Sequence, residues 1–384
     1  MNEITKIKKP LNEIIEVIIA QMDLYLQNID VAIPYLVGPP GGGKTSMIYA
    51  NFIDYKIFPL HLAFIPIEEI SGLPQFVDIE YDNKIIKGTE WTLPDIISDV
   101  YKLCNENEKV LLFIDDFHLC TPQHMAYGYQ LFTERKLRNY KLPKNCAILL
   151  AGNDSTQAGA KIIHSGIANR CCTYNIYTDF DYWKYNYALP KKINHKILTF
   201  LSQKQNIKYF HMDELTGKPW ASPRSWTRFS NILNPMEESS NNLSFEDILY
   251  YATSHIGEEA AGAFVKDYKI FSQFDMFEIF NSNIDKIKIP EDVTNNYIFI
   301  QAAINELMNR WIEGGKKKDM SIQTICHIIE KIYINSPEIC VAGLKEIVMV
   351  EKYLNLKTLY SRVKDNIKDN NIKSAINNLI VFTI

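Results

Sequence analysis

Gly38-Pro39-Pro40-Gly41-Gly42-Gly43-Lys44-Thr45 follows the spacing G-x-x-x-x-G-K-[ST] and lies between an apolar run, residues 31–37, and a stretch with helical character. Glycines at these positions let the backbone turn so that successive N–H groups face inward, toward phosphate oxygens. A helix starting at Lys44 adds the positive end of its dipole to the same point. The Lys44 ammonium is placed for the terminal phosphates, and the Thr45 hydroxyl is a hard oxygen suited to Mg2+. The pattern therefore asks for ATP with Mg2+, bound through Gly38, Pro39, Pro40, Gly41, Gly42, Gly43, Lys44 and Thr45.

Such a loop needs an acidic partner at the end of another apolar strand. Leu111-Leu112-Phe113-Ile114-Asp115-Asp116 supplies it. Asp115 is placed to hold Mg2+ through water, and Asp116 to orient or deprotonate an attacking water. Working outward, apolar runs at 31–37, 59–65, 110–114, 147–151 and 173–177 alternate with helical stretches, the pattern of a parallel sheet covered by helices. Alternating residues at 76–86, centred on Asp82-Asn83, predict a β-hairpin inserted between the second and third strands. From Leu189 onward only helical patterns occur, punctuated by prolines, with a loop expected over 234–242.

Composition narrows the alternatives. A chain of 384 residues is long enough for two or three domains, and 47% hydrophobic with 22% charged residues is ordinary for a water-soluble protein. A net charge of -4 argues against coating nucleic acid, and the compact basic run Lys316-Lys317-Lys318 reads as a solvated loop. Seven scattered cysteines without a C-x-x-C pair fit a reducing cytoplasm. The first apolar stretch carries Glu13 and Glu16, while Leu11, Ile14, Ile15, Ile18, Ile19 and Met22 keep helical spacing. That describes an amphipathic helix packed on the core rather than a signal peptide, and no uncharged run is long enough to span a bilayer. His118 and His124 lack the spacing of metal ligands to a third partner and read as structural or surface residues.

Several further segments, in this order, resemble the MoxR-type AAA+ ATPases of the dynein-related class. They are Ser71-Gly72-Leu73-Pro74, Glu134-Arg135-Lys136-Leu137-Arg138-Asn139-Tyr140-Lys141-Leu142-Pro143, Ala151-Gly152-Asn153, Ala168-Asn169-Arg170 and Ser222-Pro223-Arg224-Ser225-Trp226. The likeness covers about residues 31 to 230 and fades toward 280. It implies an AAA+ P-loop αβα sandwich with a parallel sheet in the strand order 5-1-4-3-2, then a helical lid and a helical C-terminal extension. The expected division is an N-terminal helix over 1–30, the ATPase core over 31–188 with its hairpin at about 76–88, the lid over 189–275 and the extension over 276–384.

The resemblance also assigns roles. Asn153 corresponds to the sensor 1 amide, Arg170 to an arginine finger that serves a neighbouring subunit's nucleotide, and Arg224 to sensor 2. Ser222 as N-cap and Pro223 at the first helical position would fix Arg224 in the first turn. With Asp116, these residues form the expected catalytic set. Two positions depart from the family pattern: Asp116 stands where the family usually has Glu, and Cys171 where an aromatic residue commonly follows the Asn-Arg pair. The family implies a homo-oligomeric ring, usually a hexamer, with chaperone-like remodelling of proteins and a partner carrying a von Willebrand factor A domain. The hairpin is the candidate surface for substrate or pore. Two other readings are a AAA+ motor or loader on nucleic acid, resting on Lys84 and Lys87, and an ATP-gated scaffold that scarcely hydrolyses, resting on the short Asp116 carboxylate.

Overall fold

A computed structural model describes residues 7–154, 165–212, 217–239, 243–313, 317–354 and 358–374. The chain divides into two compact units, Met1–Asp179 and Phe180–Ile384. In chain order the first carries β1 (Lys9–Pro10), α1 (Leu11–Leu26), β2 (Ile33–Val37), α2 (Lys44–Asn51), β3 (Lys56–Leu60), α3 (Ile67–Ser71), β4 (Pro74–Tyr81) and β5 (Lys84–Trp91). It continues with α4 (Asp95–Glu106), β6 (Val110–Ile114), α5 (Pro122–Glu134), β7 (Lys136–Leu137), β8 (Tyr140–Lys141), β9 (Cys146–Gly152), α6 (Ser165–Ala168) and β10 (Cys171–Tyr177).

Six strands form one sheet in the order β1-β10-β2-β9-β6-β3, and every neighbouring pair is parallel. Without the two-residue β1, and without the strands of the two hairpins, this is the expected order 5-1-4-3-2. The fold class is therefore the expected AAA+ P-loop αβα sandwich. Strands buried on both faces read as unbroken apolar runs, and all five residues of β6 are buried. Alternate side chains leave opposite faces. Leu112, Ile114, Ile148 and Leu150 pack with Ile97 and Val100 of α4 and Met125 and Leu131 of α5. Leu111, Phe113 and Leu149 pack with Ile18 and Met22 of α1 and Ile48 of α2. Each such side chain contributes about 1.5–3 kcal/mol by leaving water. In α1 the buried residues are Leu11, Ile14, Ile15, Ile18 and Met22, the stripe read from the spacing, with Ile19 half-buried.

Some expectations shift. The second strand, expected at 59–65, is β3 at Lys56–Leu60, and Leu62–Phe64 is a 3-10 turn. Pairing decides this: Lys56 to Leu60 register one by one against Val110 to Ile114. Pro59, without an N–H, is tolerated because β3 is an edge strand. The hairpin is longer than expected, β4 pairing with β5 from Pro74↔Trp91 to Tyr81↔Lys84. Asp82 and Asn83 turn it with φ of 50° and 57°, the left-handed pair that a two-residue hairpin loop requires.

Among its described residues the second unit is helical, and one buried cluster runs through it from Trp183 to Ile372. Its aromatic centre packs Trp226 against Phe200, tilted, and Phe264, edge-on, with ring centroids 5.7 and 5.8 Å apart. The loop expected over 234–242 is helical as far as Ser239, since helix Pro223–Ser239 continues through Pro235. Phe229 and Leu233 are buried in that helix, so packing outweighs the lost backbone bond. Residues 240–242 lie outside the described residues. Lys317 and Lys318 open the helix Lys317–Asn335 rather than a loop, and Lys316 lies outside the described residues.

One glycine is held by close approach rather than by its torsion angles. A Cβ on Gly38 would sit 2.7 Å from Ile176 Cγ1 and 2.8 Å from the Ile176 carbonyl oxygen, so backbone would have to move. Gly38→Ala is expected to cost about 1–3 kcal/mol. The check is urea unfolding, with a lower midpoint and an unchanged slope.

Candidate nucleotide and hydrolysis site

Parallel strands deliver their carboxyl ends to one edge of the sheet, and ligands bind there where the strand order reverses. Here the order reverses between β2 and β9. The phosphate loop leaves β2, Asp115 leaves β6 and Asn153 leaves β9. Within the first unit, residues up to 115 positions apart in sequence, Arg170 excepted, thus meet at one edge for reasons of topology alone (38 to 153).

Gly41 and Gly43 have φ of 73° and 81°, values that disfavour any side chain, and α2 starts at Lys44 with Met47 N donating to Gly43 O at 2.9 Å. Pro39 and Pro40 carry no N–H, so phosphate donation falls to Gly41 onward. Thr178 Oγ1 braces the loop by donating to Gly42 O at 2.5 Å. Lys44 Nζ donates to Gly38 O at 2.9 Å, Pro39 O at 3.0 Å and Asn153 Oδ1 at 2.9 Å. Thr45 Oγ1 donates to Asp115 Oδ2 at 2.6 Å. The other carboxylate oxygen, Oδ1, accepts from Asp116 N at 2.9 Å. Asp115 is buried, and Asp115 N is tied back to Leu60 O at 3.0 Å. A cation, a hydroxyl and a buried carboxylate are thus gathered at the loop, the donor set that a phosphate chain with a hard divalent ion requires.

Asp116 has φ 53° and ψ 31°, left-handed values that Asp accepts several-fold more often than most residues. Its carboxylate is 40% exposed, and His61 Nδ1, at the end of β3, lies 3.8 Å from its Oδ2. Asp116 therefore reaches solvent at the same edge, where a water can be activated.

The spacing of His118 reads as a structural or surface histidine, whereas the structure sets its ring beside Asn153. It is buried, and its Nε2 lies 3.2 Å from Asn153 Nδ2. Burial pushes its pKa below the ordinary histidine value, and the Lys44 charge pushes the same way, against Asp116 and Asp115. His124 is structural: its ring nitrogens lie 2.5 Å from Thr121 Oγ1 and 2.9 Å from Ile65 O.

Arg170 lies at the other end of the strands. Arg170 precedes β10, at the amino end of the sheet, where Ile33 N donates to its carbonyl at 3.0 Å. The phosphate loop starts beyond the other end of β2, five residues away along the strand, or about 16 Å at roughly 3.3 Å per residue. The Arg170 guanidinium donates to Gly166 O at 2.8 Å and lies 4.4 Å from the Tyr129 ring centroid. Arg224 is exposed in the second unit, at the start of helix Pro223–Ser239. Ser222 Oγ accepts from Ser225 N at 3.2 Å, and Ser225 Oγ accepts from Ser222 N at 2.8 Å, a reciprocal cap that fixes the first turn. Asp115 and Asn153 are therefore brought to the loop, Asp116 to its edge, and Arg170 to the opposite end of the strands.

No family model and no curated protein matches this chain. Solved structures do. PCH-2 of C. elegans is similar at 15% identity over 68% of this chain and 68% of its own, with a TM-score of 0.31. The RuvB Holliday junction branch migration motor of Thermotoga maritima is 12% identical over 73% of this chain and 78% of its own, with a TM-score of 0.27. NtrX of Brucella abortus is 11% identical over 84% and 69%, with a TM-score of 0.35. The strand order and the phosphate loop, rather than these distant likenesses, carry the fold: it is an AAA+ ATPase-like fold. No helix among the described residues is long and apolar enough to cross a membrane.

Proposed function

We propose that the chain is an ATP-hydrolysing AAA+ ring ATPase of MoxR type that remodels protein partners. The observation that carries the ATPase reading is the pairing of Lys44 with Asn153 and of Thr45 with Asp115 across three separate strands' ends. Lys44 and the N–H groups from Gly41 onward hold the phosphates. Thr45 and Asp115 hold Mg2+, which supplies charge neutralisation on the phosphate oxygens. Asp116 orients and deprotonates water, Asn153 hydrogen-bonds at the terminal phosphate, and Arg224 senses that phosphate. Arg170 acts on the next copy in a homo-oligomeric ring, hexameric by resemblance.

The hairpin supports a protein partner over nucleic acid. Its root is anchored, with Tyr140 OH donating to Trp91 O at 2.7 Å and the Arg138 guanidinium 4.0 Å from the Trp91 ring centroid. Along the hairpin, Phe76 near the root and Ile79, Tyr81, Ile85 and Ile86 toward the tip are exposed. Of its two lysines, Lys87 is paired with Asp78, and Asp78, Glu80, Asp82 and Glu90 outnumber them. Phosphate backbones would be repelled, whereas an apolar segment of a protein, such as one beside a von Willebrand factor A domain, finds exposed apolar surface.

The test is Asp116→Asn. The amide keeps the shape and removes the base, so ATP is expected to stay bound while turnover falls about 10²- to 10⁴-fold. Affinity by fluorescent nucleotide titration and turnover by phosphate release separate the two effects. Unchanged turnover would move the base elsewhere, with Glu134 the next carboxylate to test. Tight ATP binding by the native chain with no phosphate release would favour the scaffold.

A further inference from the structure

We propose that His118 is a positioning residue that holds the Asn153 amide in the orientation ATP turnover needs. The proposal rests on the reading of this site as an ATPase and adds a residue that reading does not contain.

The logic is one of donors and acceptors. An ammonium has only donors, so Lys44 Nζ, 2.9 Å from Asn153, must face the amide oxygen. That turns Asn153 Nδ2, a donor only, toward His118 Nε2 at 3.2 Å. The ring nitrogen must then accept, which requires a neutral imidazole carrying its proton on Nδ1. His118 Nδ1 is buried without a hydrogen-bond partner. An orphaned buried donor costs about 1–3 kcal/mol, and such groups in a folded protein call for an explanation. Packing alone gives none, since an apolar residue would fill the space without the orphan. The bond made by Nε2 does: it fixes one of the two amide rotamers of Asn153.

The consequence appears when Lys44 turns to the phosphates. Asn153 then loses the partner that orients its oxygen, and the amide could flip. His118, reached from a different strand end, still accepts one Nδ2 hydrogen, which leaves Oδ1 facing the Lys44 side, able to accept from the attacking water, and the second Nδ2 hydrogen for the terminal phosphate. The 3-10 turn Phe117–Leu119 holds the imidazole in place, with Leu119 N donating to Asp116 O at 2.9 Å and Phe117 fully buried. His118 acts through Asn153 and is not a catalytic residue.

The experiment compares His118→Leu, which removes the acceptor, with His118→Gln, whose amide oxygen can replace it, and with Asn153→Ala and the double variant His118→Leu/Asn153→Ala. Turnover is read by phosphate release and affinity by fluorescent ADP titration. His118→Leu is expected to lower kcat about ten- to a hundredfold while ADP affinity stays within about twofold. His118→Gln should recover most of the loss, and His118→Leu should add nothing on the Asn153→Ala background. If His118→Leu fails to fold, His118→Met takes its place. Native turnover in His118→Leu, failure of His118→Gln to rescue, or losses that multiply in the double variant would each overturn the proposal. ADP binding that Lys44→Ala abolishes establishes the site independently, so a failure confined to the His118 variants leaves the ATPase reading standing.

Discussion

Lys44→Ala is expected to lower ATP turnover about a hundredfold or more while the chain stays folded. The Lys44 ammonium contacts two loop carbonyls and the Asn153 oxygen, polar acceptors rather than apolar core side chains. Its removal leaves part-buried polar acceptors, so stability should fall by about 1–2 kcal/mol, too little to unfold the chain. Fluorescent nucleotide titration beside urea unfolding checks both halves. A folded Lys44→Ala variant that binds and turns over ATP like the native chain would remove the phosphate-loop assignment.

Arg170→Ala is expected to leave ATP binding nearly intact and to remove roughly a thousandfold of turnover, the contribution of a guanidinium to a phosphoryl-transfer transition state. The direction of the argument comes from the sheet. Arg170 sits at the amino end of β10 and the phosphate loop at the carboxyl end of the adjacent β2. With all strands parallel, those are opposite edges, and a head-to-tail neighbour is the natural recipient. Arg170 is held ready by Gly166 O and the Tyr129 ring, contacts it can exchange for phosphate oxygens. Mixing Arg170→Ala with Lys44→Ala subunits should restore part of the rate, because an intact loop then faces an intact arginine across some interfaces. Phosphate release against mixing ratio, with subunit exchange verified by size, measures it. No recovery despite exchange would place the arginine outside the site.

What could be read from the sequence was whatever is local. The glycine-rich loop, the Asp115 strand end and the Asp82-Asn83 turn each combine adjacent residues whose types dictate backbone or charge, and the structure shows a loop between β2 and α2, a strand that ends at Ile114 and a left-handed two-residue turn. The three central strands β2, β6 and β9 were visible because burial on both faces makes them continuous apolar runs. The edge of β3 was not, since its limits are set by β6 across the sheet, and a two-residue strand such as β1 has no periodicity to read. Helix Pro223–Ser239 runs through Pro235 because Phe229 and Leu233 are buried, a tertiary effect that overrides a local signal. His118 escaped for the same kind of reason. Its role depends on an amide 35 positions away, which only the β6–β9 pairing brings to it. The acidic pair preceding it was the available signal, but nothing in the spacing says that the ring turns inward.

The most direct measurement is phosphate release from MgATP by the purified native chain across a range of protein concentrations, with Lys44→Ala in parallel. The shared-site ATPase described above predicts turnover per subunit that rises as dilute chains assemble and is lost in Lys44→Ala at every concentration. Release that Lys44→Ala leaves unchanged, or no release at any concentration, would contradict it.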